Sequence, residues 1–166
     1  MARRSALENG LVGPAGEHYV LDQLYRRGIL AGLAPPGTPD VDILVLPPDR
    51  GVTVQVKTRI GATGRPSWPM NPKHETLVDE RMFYAFVDLG QEPPVTWIVP
   101  SAMVAEVLRE NHVAWLAAPG RGGRAHRDNK MRQLRNEYPP EDQPPSYPAG
   151  WLDQCRERWD LLGSGE

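Results

Sequence analysis

Cysteine occurs once in this 166-residue chain, at Cys155, so no internal disulfide can form and no pair of thiolates is available to hold a metal. That scarcity fits a reducing, intracellular compartment. Long apolar runs are missing too. Nowhere do about 18 apolar residues follow one another, as a membrane-spanning helix requires. The opening "MARRSALENGLVGPAGE" has two arginines but lacks the apolar stretch of a signal peptide. The expected setting is therefore cytoplasmic, away from membranes. Charge of one sign is also lacking: a formal net charge of -2 gives no general attraction for polyanions, so any hold on nucleic acid must come from a local cluster. No zinc module or helix-turn-helix is recognisable to read bases.

Proline and glycine, by contrast, are plentiful and unevenly spread. "GRGGR" at 120–124 and "YPPEDQPPSYPAG" at 138–150 are the densest stretches, and the second reads as an extended linker. This divides the chain into a core over 1–137, a Pro-rich linker over 138–150 and a terminal helix over 151–166. Within the core, "GPAGEHYVLDQLYRRG" predicts a helix with Pro14 in its first turn, Arg26 and Arg27 in its last turn and Gly28 as its stop. Val20, Leu21 and Leu24 form its inward stripe. Glu17, three, four and seven residues before them, lies on the same stripe, either as a buried-side carboxylate or as a half-exposed partner of the helix dipole.

Strands are expected at 41–46, 52–56, 83–89 and 95–100, a helix over 101–111 capped by Ser101, a last strand at 112–118, a polar helix at 128–137 and a terminal helix at 151–162. This order predicts an α/β fold with a mixed central sheet flanked by helices. Trp68 and Trp97 are expected as core or loop anchors.

The stretch "PDVDILVLPPDRGVTVQVKTR", Pro39 to Arg59, reads as two short strands around "PPDR". Side chains alternate along a strand, so Asp40 and Asp42 share one face, as do Gln55 and Lys57. A four-residue loop sets Leu46 opposite Gly51, Asp42 opposite Gln55 and Asp40 opposite Lys57, and the polar groups converge. Two readings of that face stay open. One is a surface salt bridge between Asp40 and Lys57. The other is a cation site, with oxygen ligands from Asp42, Gln55 and the Val56 carbonyl, Lys57 orienting or deprotonating a water, and Glu17 completing the cluster.

The residues also match a known pattern. "GE" in an opening helix, then Asp before an apolar strand, then "QVK" ending the next strand, resembles the PD-(D/E)XK nuclease superfamily over residues 13–59. The resemblance implies a restriction-endonuclease-like core and a DNA endonuclease dependent on Mg²⁺ or Mn²⁺, dimeric or a higher homo-oligomer. Carried over by position, it implies Asp42, Gln55 and Glu17 at the metal and Lys57 as the residue that assists catalysis. The chain departs from the pattern at Gln55, where most members carry a carboxylate, and Asp40 competes with Asp42 for the aspartate role. Gln55 also keeps a rival in view, a non-catalytic DNA- or protein-binding protein on a degenerate nuclease fold. A third reading is an assembly protein whose Trp151 and Trp159 make an interface.

For the nucleic acid, "RGGRAHRDNKMRQLR" supplies Arg121, Arg124, Arg127, Lys130, Arg132 and Arg135 against Asp128 alone, a run suited to phosphate contacts or to a solvated face. Arg65, Lys73 and His74, in the loop after Lys57, are further candidates, His74 either as a phosphate contact or as a structural residue.

Overall fold

A computed structural model describes residues 9–46, 51–61 and 65–163. The "PPDR" turn at 47–50 lies outside the described residues. The first helix, α1 (Asn9–Arg26), begins before the predicted start, so Pro14 sits inside it and gives no N–H to the turn behind. It stops as expected: Gly28 adopts a φ of 72°, which costs glycine little. Val20 and Leu24 are fully buried and Glu17 is half-buried beside them.

Five strands form the main sheet, β1 (Ala31–Leu33), β2 (Ile43–Val45), β3 (Val52–Arg59), β5 (Met82–Asp88) and β6 (Val95–Pro100), in that spatial order. The β3–β5 pair is parallel and the others are antiparallel. This is the mixed α/β sheet that the element order predicts. Between β3 and β5 runs β4 (Ser67–Met70), which pairs antiparallel with β7 (Arg132–Arg135) as a separate two-stranded sheet. The second helix, α2 (Ser101–Ala117), crosses between β6 and β7.

The two faces of the main sheet carry two cores. α1 covers Ile43, Val45, Val54, Val56, Ala85, Val87 and Ile98. On the other face Tyr84, Phe86, Trp97 and Val99 lie under α2, the β4–β7 ribbon and Trp151, Leu152 and Cys155, whereas Trp159 and Leu162 join the core under α1. Trp68 is the pivot there, 5.2 Å from Phe86 and 5.3 Å from Trp97 between ring centroids, with its indole N–H donated to the Val87 carbonyl. Both Trp68 and Trp97 are thus core anchors. Among the described residues no helix is long and apolar enough to cross a membrane.

Several element boundaries differ from expectation. Of the expected strand at 112–118, residues 112–117 instead continue α2, because no breaker occurs until Pro119, and Ala118 before it turns extended. Residues 128–137 hold no helix: Arg132 to Arg135 alternate buried and half-buried as β7, with Leu134 in the core. The stretch 151–162 is not one helix but two 3-10 turns, Trp151–Cys155 and Trp159–Leu162, separated where Glu157 takes a φ of 54°. Ser101 does not cap α2; its hydroxyl accepts from the Asp79 N–H and donates to the Asp79 carbonyl. In the Pro-rich stretch, Tyr138, Pro144 and Tyr147 are buried, and the Asp142 carbonyl accepts from Asn111 of α2.

Candidate active site

The β2–β3 rungs join Ile43 to Val54, Leu44 to Thr53 and Val45 to Val52, the register that the four-residue loop predicts. Continued one step, it sets Asp42 opposite Gln55. Beyond that point the chain turns away from β3, and Asp40 takes a left-handed φ of 59°. The Val56 N–H would then lack a rung partner. Asp42 supplies one: its Oδ2 accepts from Val56 at 2.7 Å, while its own N–H donates to the Val54 carbonyl at 3.0 Å. Asp42 is thus fixed at the edge of β3 by two hydrogen bonds, one through its carboxylate and one through its backbone N–H.

Asp40 takes another course. It pairs with Lys73 of the 3-10 turn Pro72–Glu75, so the surface salt bridge to Lys57 is not the arrangement found. Gln55 is buried in the ladder beside Tyr84, and its Oε1 has no hydrogen-bond partner. Lys57 is half-buried beside Phe86; burial lowers its proton affinity, Asp42 opposes that, Lys73 adds to it and Asp40 opposes it again. Glu17 is shifted upward, by burial first and by the charge of Asp42 second, with His18 acting the other way.

Glu17 reaches this place because α1 lies unusually close to β3. A Cβ on Gly16 would stand 1.8 Å from Thr58 Oγ1, a space only glycine fits. A carboxylate whose charge burial and a neighbouring aspartate oppose, that aspartate itself, and an amide oxygen buried without a partner are a donor set that a hard divalent cation suits. Among the described residues no three His, Cys, Asp or Glu side chains are grouped to hold a metal by themselves, so a cation here needs Gln55 and backbone oxygen as well.

The basic candidates divide. Arg121, Arg124, Arg127 and Lys130 are exposed on the loop between α2 and β7 and make no ion pair among the described residues. Arg132 and Arg135 turn to Glu75 and Gln133 instead. Arg65 is exposed but paired with Glu137 at 2.6 Å. His74 is wholly buried, with Nδ1 2.8 Å from Tyr84 Oη, which removes it from the surface where a phosphate contact would be made. Burial holds its pKa down at about 4, with Lys57 and Lys73 adding to the effect. Tyr84 was not a sequence candidate. Its only signal was a phenol in the apolar run before Asp88, a group that needs a partner when buried.

No protein-family profile and no curated protein matches the chain. Among solved structures it is similar to a bacterial homing endonuclease, I-Ssp6803I, with a TM-score of 0.54 and 14% identity over 94% of this chain and 91% of that one. A Holliday junction resolvase, Hjc from the archaeal hyperthermophile Archaeoglobus fulgidus, aligns at a TM-score of 0.46 and 14% identity, over 74% of this chain and 83% of the other. The homing-endonuclease likeness shows the fold: the sheet is built on the restriction-endonuclease-like plan that the "QVK" resemblance implies.

Proposed function

We propose that the chain is a divalent-metal-dependent DNA endonuclease, with Asp42, Gln55, the Val56 carbonyl and Glu17 as the metal site and Lys57 as the group that handles the attacking water. The observation that carries this is the edge of β3, where the anchored Asp42 carboxylate, the unpartnered Gln55 Oε1 and the desolvated Lys57 occur together. Mg²⁺ or Mn²⁺ held there would supply positive charge to offset the negative charge that develops on a phosphate. Lys57 positions the water and offsets the negative charge that develops as its oxygen attacks phosphorus, the water's proton passing to solvent. The P–O bond to the leaving group breaks, and the leaving oxygen takes a proton from solvent, giving a phosphomonoester and a hydroxyl. The homing endonuclease of like fold supports DNA as the substrate, and the exposed Arg121, Arg124, Arg127 and Lys130 support a phosphate-binding flank.

Nicking of supercoiled plasmid DNA tests the assignment. Wild type is expected to cleave with Mg²⁺ or Mn²⁺ and not with EDTA, and Lys57→Ala and Asp42→Ala to lose roughly 100-fold or more in rate. Undiminished activity in either variant would sink it. A homo-oligomer is part of the same reading, supported by Leu30, Leu44 and Leu46, which are 63%, 39% and 59% exposed at the β1–β2 edge of the sheet. A light-scattering mass equal to one chain would contradict that part.

A further inference from the structure

Behind the candidate ligands lies a buried polar pair with no role in the steps above. The ring of His74 stands edge-on to Tyr84, centroids 5.6 Å apart at 74°, joined by the Nδ1–Oη hydrogen bond. Tyr84 is also the β3–β5 ladder partner of Gln55, so it adjoins both the imidazole and the amide. The phenol has one proton and a neutral imidazole has one N–H. The 2.8 Å contact fits either direction, but Tyr84 Oη has no other acceptor among the described residues, so donation from Oη to Nδ1 is the arrangement that leaves fewest groups open, and it puts the imidazole proton on Nε2. That N–H is buried without a partner, as is Gln55 Oε1. A donor and an acceptor left open on side chains that share a neighbour are complementary, and each destabilises the fold if nothing fills it.

We infer that His74 is a positioning residue for Gln55: its Nε2–H, through one buried water, donates to one lone pair of Oε1 and leaves the other for a divalent cation. The inference rests on the reading of Gln55 as a metal ligand. It answers a problem that the glutamine creates. A carboxylate can ligate with either oxygen, whereas an amide turned over presents an NH₂ group to the cation and repels it. A donor fixed behind Oε1 selects the ligating orientation, as outer hydrogen bonds do for metal ligands generally. Neutrality suits this role, since a charged imidazole would oppose a cation next to it.

Mn²⁺ affinity of the full chain, measured by electron paramagnetic resonance titration, tests this in wild type, His74→Phe, Tyr84→Phe, Gln55→Ala and the His74→Phe/Gln55→Ala double variant. His74→Phe is expected to lose about 10- to 100-fold in affinity, and Tyr84→Phe to lose less in the same direction. In the Gln55→Ala background His74→Phe is expected to add nothing. Ring nitrogen chemical shifts of wild type are expected to report a neutral Nε2–H tautomer. Equal affinity in His74→Phe and wild type, or an equal loss in both backgrounds, would overturn the positioning role while leaving Gln55 as a ligand. Affinity independent of Gln55, or no Mn²⁺ binding by wild type, would overturn the ligand reading and this one with it. If His74→Phe does not fold, Tyr84→Phe decides by the same comparison.

Discussion

Glu17 is where burial and chemistry oppose each other. Burial and then Asp42 raise its proton affinity above the ordinary 4.5. The folded state therefore holds that proton more tightly than the unfolded chain does. The stability this contributes is complete below pH 4.5 and is lost as pH rises through the higher folded value. At neutral pH the metal-free protein carries an unwelcome charge, so Glu17→Gln is expected to raise Tm there, with the two curves converging under acid conditions. Saturating Mn²⁺ is expected to raise the wild-type Tm more than the variant's, because the same carboxylate then has a cation to meet. Thermal melts at several pH values, with and without Mn²⁺, check both. Of this residue-scale picture, the pairing of Asp42 with Gln55 was legible in the sequence, since period-two alternation and a short turn determine it. The Asp40–Lys73 pair and the His74–Tyr84 pair were not, because each partner arrives on a different element.

Among the elements, the contact of α1 with β3 positions the site most directly. Gly16 faces Thr58 with no room for a side chain, and the next residue along is Glu17. Gly16→Ala is expected to destabilise by about 1–3 kcal/mol through overpacking, and to weaken Mn²⁺ binding as Glu17 is pushed outward. Thr58→Ala, which removes Oγ1 and Cγ2 but keeps Cβ, is expected to rescue it in part. Denaturant midpoints and Mn²⁺ titrations of the three variants check this. The first helix and strands β2, β3, β5 and β6 followed from their apolar periods. β4, with Pro69 inside it, looked like loop, and it is tolerated because its ribbon has only one partner strand. β7 was hidden by its charges: only Leu134 marks an inward face. The "HVAWLAA" segment has both a strand's composition and a helix's, and continuity with α2 decided between them.

For the whole molecule, the basic loop is what a chain of net charge -2 offers to a polyanion. The His126 ring lies tilted against Trp115, centroids 4.1 Å apart, and Asp128 accepts from His112 at 2.8 Å, so the loop is pinned against α2 with its cations outward. Replacing Arg121, Arg124, Arg127 and Lys130 singly by Ala is expected to weaken binding to duplex DNA alike across sequences. Removing one cation from a phosphate is expected to reduce the slope of log affinity against log salt by roughly 0.9. An unchanged slope in all four variants would show that DNA does not lie on this surface.

If Asp42, Gln55 and the edge of β3 form one cation site, crystals soaked in Mn²⁺ and measured at its absorption edge will show it. The expected result is a single strong anomalous peak ligated by Asp42, Gln55 Oε1 and the Val56 carbonyl, with Glu17 turned toward it. A peak only at exposed carboxylates elsewhere, or Gln55 Oε1 left without a ligand beside a bound ion, would contradict it.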